Sequence, residues 1–423
     1  MNIAKAPEFD FSLPEIETAT TMHAHQIVGQ FRHLALHSHY QPILSLAHRR
    51  IVGYEALVRP HDAAGQSVSP LTLFKSVHDE QATVYLDRLC RNIHVRNFMS
   101  GASGNTWLFL NVNPEVALHG KQFAPYFREL LSRYELPASR VVVEILENAI
   151  ADEAQLADTV AFYKELGCLV AIDDFGAGHS NFERIWRIKP QIVKLDRSMI
   201  VQARIDASVR RVLPGLIALL HEAGALTLME GIETEEEALI AMDAGIDFVQ
   251  GFLFGRPAAI LQTQSPCDSP IVNMCMQHRA QATANAITEQ ARLKPYQMAF
   301  RDSAQLASLG RSLEAASDPF LRLPGTVRCF LLNQSGYQVG DNIVSQASTH
   351  PADPRYRPLA DVTEANWSRR PYYRRALHDP GNIQVSRPYL SVSDARMCIT
   401  LSVTVERDGA LHVFCADLLS DEF

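Results

Sequence analysis

From about residue 38 to residue 262, short apolar runs alternate with longer stretches of helical periodicity, and this alternation limits the fold more than any other feature of the chain. Candidate strands lie at 39–46, 52–58, 107–112, 141–146, 168–173, 191–195, 225–230 and 247–251. Helical patterns fall between them, for example at 121–134, 153–166 and 203–223. Eight strands separated by helices fit an α/β fold of the TIM-like (β/α)8 barrel type, whose typical size is about 250 residues. A doubly wound open sheet is the runner-up, and the lack of a GxGxxG after any strand lowers it.

Six of the apolar runs carry or end in an acid or an amide. They are YEALVR with Glu55, WLFLNVN with Asn111, VVVEILE with Glu144 and Glu147, CLVAIDD with Asp173 and Asp174, LTLME with Glu230, and FVQG with Gln250. QIVKLD adds one cation, Lys194. A carboxylate at the end of a buried strand is costly unless something pairs with it. Strand alternation puts Glu55, Leu57 and Arg59 on one face, and likewise Ile192, Lys194 and Asp196. Barrel chemistry sits at the carboxyl ends of the strands, so these side chains are expected at one mouth.

Taken singly, each acid is more often a helix cap, a salt bridge or a solvated loop end. Asp173-Asp174 before Phe175-Gly176 can simply begin a turn, and Asn111 before Asn113-Pro114 an Asx-turn. The joint pattern needs six separate accounts at the same strand end. Carboxylates gathered at one place repel one another, and divalent metal removes the conflict. An all-oxygen set without His or Cys selects Mg²⁺, Mn²⁺ or Ca²⁺. So many ligands suggest two ions about 3.5–4 Å apart, suited to opening a phosphate ester.

Outside the barrel pattern, residues 1–14 read as a loose tail and 15–36 as a lead helix, so that 1–37 precede the barrel domain at 38–262. Residues 263–300 hold a linker (263–272) and a connecting helix (276–293). Residues 301–423 form a smaller α+β domain, β-rich from 326 onward through VRCFLLN, GYQVGDNIV, CITLSVTVE and ALHVFCADLL. A net charge of -8 leaves no basic footprint, so a nucleic acid polymer is not an expected partner. Seven scattered cysteines without a CxxC read as reduced thiols, and no run reaches the ~18 apolar residues of a membrane span. A soluble, cytoplasmic protein is expected.

In order along the chain stand QPI (41–43), EALVRP (55–60), LNVNP (110–114), EILE (144–147), AIDDFGAGHSN (171–181), KLDRSMI (194–200), EGIETEEE (230–237) and QGFLFGRP (250–257). This set resembles the EAL-domain family of cyclic di-GMP phosphodiesterases. The resemblance implies a barrel with one antiparallel strand that hydrolyses cyclic di-GMP to linear pGpG with Mg²⁺ or Mn²⁺. It further implies metal ligands at Glu55, Asn111, Glu144, Asp173, Asp174 and Glu230. Lys194 would position the attacking water, and Glu230 would be a ligand or general base. Glu147 would hold the loop after the DDFG strand, a loop linked to homodimerisation. Gln41, Leu57, Arg59 and Gln250, with Glu55, would meet the substrate, and Glu233 would stand behind them. The family's common DDFGTGYSS here reads DDFGAGHSN, with Ala177, His179 and Asn181 changed. That departure leaves a second expectation, a weak or inactive EAL domain acting as a cyclic di-GMP receptor.

Residues 371–405 resemble a PAS-like or Cache-like sensor: an RPYYRRAL helix, a PYLS turn, then a TLSV strand; a domain that only dimerises is the alternative expectation for 301–423. Arg370, Tyr372, Tyr373 and Tyr389 are the candidates to line a pocket for a small ligand of unknown identity.

Overall fold

The structure, a computed structural model, describes residues 12–102, 104–112, 120–146, 153–178, 182–262, 270–346, 361–391 and 396–420. The chain divides after Arg279 into two compact units.

The first unit opens with a short helix, Leu13–Thr18, and continues as strand rather than helix. Strands β1 (Thr20–His23), β2 (Gln26–Phe31) and β3 (Leu34–Ser45) form an antiparallel meander, so the lead helix expected at 15–36 is corrected to one short turn-like helix and two hairpins. Ala24, His25 and Arg32 take positive φ at the two tight turns. The strands are held from a distance. Asn97, on the long helix Glu80–Gly101, accepts from the Ile27 amide at 2.7 Å and donates to the Ile27 carbonyl at 2.8 Å, replacing a neighbouring strand.

The barrel closes through β3, β4 (Arg50–His61), β5 (Trp107–Asn111), β6 (Val141–Leu146), β7 (Leu169–Phe175), β8 (Ile192–Leu195), β9 (Leu226–Met229) and β10 (Phe248–Val249). Strands β4 to β10 run parallel, while β3 is antiparallel to both of its barrel neighbours, β4 and β10. The expected one-antiparallel-strand barrel is the architecture found. Outward-facing residues such as Leu108, Val143 and Val170 pack on Leu89, Ile93 and Leu130 of the surrounding helices. On the other side Val193, Leu195 and Met229 pack on Ile200, Leu213 and Ile217. The helical stretch expected at 203–223 is two helices, Arg197–Ile205 and Ala207–Glu222. Asp206 divides them by capping the second, accepting from Ser208 N at 2.7 Å. Among the described residues no helix is long and apolar enough to cross a membrane.

The helix expected at 276–293 is longer, Pro270–Ser308. The second unit holds an antiparallel sheet in the order β12-β11-β16-β15-β13, with β14 also on β15. These are β11 (Thr326–Asn333), β12 (Gln338–Val344), β13 (Gln384–Val385), β14 (Tyr389–Leu390), β15 (Met397–Arg407) and β16 (Ala410–Leu419). One face buries Leu331, Leu401 and Phe414 against Phe300, Ala307 and Phe320 of two preceding helices. The other buries Phe330, Leu332 and Val413 against Tyr372, Tyr373 and Ala376 of the helix Pro371–His378. The PYLS segment is not a turn: Tyr389 and Leu390 pair with Cys398 and Met397 as an edge strand.

Candidate active site

Seven strands each send one apolar side chain to a common level inside the barrel: Ile43, Phe109, Val142, Ala171, Ile192, Leu228 and Phe248. On β4 the residue beside Ile43 is Gly53, where a β-carbon would stand 2.8 Å from the Phe109 ring. Side chains two apart along a strand share a face. Two positions from this apolar plug, toward the carboxyl ends of the parallel strands, stand Gln41, Glu55, Asn111, Glu144, Asp173, Lys194, Glu230 and Gln250. Gln41 precedes Ile43 because β3 runs the other way. One period-two step therefore converts a hydrophobic floor into a ring of eight polar groups.

Lys194 stands at the centre of the ring. Its Nζ lies 2.6 Å from Glu144 Oε1, 2.6 Å from Glu230 Oε1, 3.0 Å from Asp173 Oδ1 and 4.0 Å from Glu55 Oε1. Gln250 Nε2 donates to Glu55 Oε2 at 2.6 Å and to Gln41 Oε1 at 3.2 Å, and Asn111 Nδ2 donates to Glu55 Oε1 at 3.1 Å. Gln41 in turn donates to the Gly255 carbonyl. The amides thus hold Glu55 in place while the ammonium faces the other acids.

Asp174 joins the cluster through a break in the strand. It has φ of 59°, and the β7–β8 register shifts between Ile172 and Phe175. Such a bulge re-aims side chains that alternation would separate. Carboxylate oxygens of Asp173, Asp174 and Glu230 lie within 4.8 Å of one another.

One ammonium does not balance five carboxylates. Burial pushes the Glu144 carboxyl well above its ordinary range, Lys194 pulls it down, and Glu55 and Asp173 add to the rise. Burial likewise raises Glu230 to about 8 against the pull of Lys194. Asp174 is raised by burial and by Asp173. For Lys194, burial opposes the charge, but Asp173, Glu144 and Glu230 outweigh it and hold its pKa well above the usual lysine value. Glu144 Oε2 and Gln250 Oε1 are buried without a hydrogen-bond partner among the described residues. The site is short of positive charge and of donors, which is what a divalent cation with oxygen ligands supplies.

A cavity of ≈ 170 Å³ opens over Glu55, Asp173, Lys194, Glu230 and Gln250. Its wall includes residues that the sequence reading did not select. Arg197, the first residue of the helix after β8, is ion-paired with Glu233 across it. Phe252 also lines it, with the Arg256 guanidinium 4.1 Å from the ring centre. Arg197 directly follows the KLD run and Phe252 the QG pair, so proximity to known strand ends was the available signal. Gly251 is enforced by space: a β-carbon there would meet the Ile232 carbonyl oxygen at 2.0 Å.

Leu57 and Arg59 continue the Glu55 face along β4, opposite His39 and His37 of β3. Neither is in the cavity wall, and the Arg59 guanidinium donates to the Val58 carbonyl at 2.9 Å. Glu147, His179 and Asn181 lie outside the described residues. In the second unit Tyr372, Tyr389 and Arg370 line a cavity, whereas the Tyr373 hydroxyl donates to the Gln334 carbonyl at 2.7 Å.

Residues 25–257, more than half of the chain, match the protein family described as EAL domain. The chain is 26% identical over 400 residues to the EAL-domain containing protein YkuI of Bacillus subtilis, covering 89% of this chain and 92% of that protein. A crystal structure of YkuI, in complex with substrate c-di-GMP and calcium, superposes with a TM-score of 0.77 at 22% identity, over 91% of this chain and 96% of that one. At that identity the likeness concerns the fold. The cyclic di-GMP phosphodiesterase RocR of Pseudomonas aeruginosa is 27% identical over 57% of this chain and 62% of its own length. A protein of Azorhizobium caulinodans is 32% identical over 54% of this chain and 32% of its own length. The chain therefore spans less than two thirds of the length of these last two relatives.

Proposed function

We propose that this chain, which belongs to the EAL domain family, hydrolyses one ester bond of cyclic di-GMP to give linear pGpG, using Mg²⁺ or Mn²⁺ at the barrel mouth. The observation that carries the reading is the placement of Glu55, Glu144, Asp173 and Glu230 within 4.0 Å of one buried ammonium. A phosphodiesterase needs hard cations beside a positive group that can face a phosphoryl oxygen; this ring has oxygen groups suited to hold the first, and Lys194 would serve as the second.

The residues present fit the cations. Glu55, Asn111, Glu144, Asp173, Asp174 and Glu230 would hold them, all through oxygen, and two ions match the number of ligands. When bound, divalent cations make water acidic enough to attack and neutralise charge on the phosphate. The chain itself supplies orientation and charge. Lys194, fixed among the acids, would position the attacking water and offset charge developing at phosphorus. Gln250 and Gln41 would hold Glu55 and meet the substrate. Leu57 and Arg59, further along the same face of β4, would contact its outlying parts. Glu147 would brace the loop after β7, through which a homodimer would act on the site. The second unit would act as a PAS-like or Cache-like sensor in a cytoplasmic protein.

The test is incubation of the purified chain with cyclic di-GMP and Mg²⁺ or Mn²⁺. Formation of pGpG, abolished by chelation and by Glu55→Ala, is the expected result. Tight binding with no turnover over hours would replace the enzyme with a receptor. Absence of both binding and turnover would refute the reading.

A further inference from the structure

Beside the start of the helix Pro371–His378 the second unit holds a cavity of ≈ 240 Å³. Among the described residues its charged lining is cationic: Arg370, Arg375 and Arg387. Arg375 and Arg387 are exposed, and none of the three is ion-paired with a carboxylate among the described residues. Arg370 is steered by aromatic faces, its guanidinium 5.9 Å from the Trp367 ring centre and 5.6 Å from that of Tyr389. Asp417 lines a smaller neighbouring cavity that shares Arg370, Tyr372 and Tyr389. That carboxylate is already satisfied: Arg328 Nε donates to it at 2.8 Å and Thr400 Oγ1 at 2.7 Å. It cannot also serve as counter-charge for the three arginines.

The rest of the wall is suited to a carbon skeleton. Pro371, Pro388 and the rings of Tyr372 and Tyr389 supply it. Tyr372, 4% exposed, forms the buried part of this wall. Guanidinium groups recognise carboxylate and phosphate through paired N–H donors. The volume lies below the roughly 300–1,000 Å³ of pockets for drug-sized ligands, which suits a small ligand.

We propose that this cavity binds a small organic anion of two or more negative charges, held through carboxylate or phosphate oxygens by Arg370, Arg375 and Arg387. The site deepens the sensor reading of the second unit and rests on that reading only for its effect on turnover, not for binding itself.

Isothermal titration of the metal-free full chain at low salt with citrate, succinate and inorganic phosphate tests it. At least one probe is expected to bind at one site per chain, with affinity reduced tenfold or more in Arg375→Gln and Arg387→Gln. Comparing the carboxylates with phosphate identifies the preferred head group. Both substitutions lie at exposed positions, and unchanged urea midpoints would verify folding. No binding by any probe, or binding indifferent to both substitutions, would overturn the site. Adding the bound probe to the pGpG assay is a separate readout. Altered turnover supports regulation, whereas binding with constant turnover keeps the site and removes the sensor role.

Discussion

Lys194 Nζ and Glu144 Oε1 stand 2.6 Å apart with side-chain exposures of 1% and 0%, so Lys194 is the one compensating charge of Glu144 among the described residues, while Lys194 itself draws also on Asp173 and Glu230. Removing one member of such a pair strands the other, at about 3–5 kcal/mol. Lys194→Met is expected to lower the stability of the metal-free chain by about that amount. Combining it with Glu144→Gln is expected to recover part of that loss, because the most deeply buried carboxylate is then neutral while Asp173 and Glu230 remain. Urea unfolding of the parent, both single variants and the double variant measures the coupling. A Lys194→Met protein as stable as the parent would show that Glu144 is protonated and needs no partner.

Asp174 combines φ of 59° with a carboxylate within 4.8 Å of those of Asp173 and Glu230, and substitutions separate its backbone role from its proposed metal role. Asn tolerates the left-handed region, whereas a β-branched residue is strained there by about 1–2 kcal/mol. Asp174→Asn is expected to unfold like the parent without metal but to bind Mn²⁺ at least tenfold more weakly, about 1.4 kcal/mol. Asp174→Val is expected to lose metal affinity and metal-free stability together. Thermal unfolding with EDTA and across a Mn²⁺ series checks both. Stabilisation of the Asn variant by Mn²⁺ equal to that of the parent would remove Asp174 from the ligand set.

The ring of site residues was legible because the barrel strands keep a period of two up to the site, so the acids at 144 and 173 follow the apolar Val142 and Ala171 on the same face, and Glu55 follows Gly53. The bulge at Asp174 was not legible as geometry. A doubled aspartate says nothing of a positive φ, and alternation alone would have sent one of the pair away from the site. The first two strands and the start of the third were misread for a different reason. Their pairing depends on Asn97, 70 residues from Ile27, and on packing against the helix Glu80–Gly101, neither of which has a local trace. Asp206 was a readable helix cap, but an otherwise continuous apolar pattern from 203 to 223 concealed it. Charge shortage at Lys194 could be inferred from sequence only as a count; the buried, unpartnered oxygen of Glu144 needed coordinates.

Gly251 connects Gln250, which donates to Glu55, to the loop at Ile232, which follows Glu230. A β-carbon at 251 would stand 2.0 Å from Ile232 O and 2.3 Å from Ile232 N, both backbone atoms with little freedom to retreat. Gly251→Ala is therefore expected to move the two loops apart. Overpacking of this kind costs about 1–3 kcal/mol. Because Gln250 holds Glu55, turnover is expected to fall at least tenfold even where the variant remains folded. Denaturant midpoint and pGpG formation, measured on one preparation, check this. Unchanged values for both would mean that the loops yield freely.

His94 is fully enclosed between the barrel and the helix that carries it. Its Nδ1 lies 2.8 Å from Ser38 Oγ, and its carbonyl accepts from the Tyr40 hydroxyl at 2.6 Å. Burial, with a smaller push from the charge of Arg59, lowers its pKa from 6.5 to about 3. Between those values the unfolded chain binds a proton that the folded chain refuses, so stability rises with pH through that window and is lost as pH falls below 6.5. At 1.36 kcal/mol per pH unit, the loss from this group is about 2 kcal/mol at pH 5. The net acid response also contains the carboxylates, so the informative quantity is a difference between variants. His94→Gln carries no titrating ring. Its stability is expected to fall by about 2 kcal/mol less than that of the parent between pH 7.5 and pH 5.0 in urea unfolding. Equal losses would show that the folded protein accommodates the imidazolium, by admitting water or rotating Ser38 away.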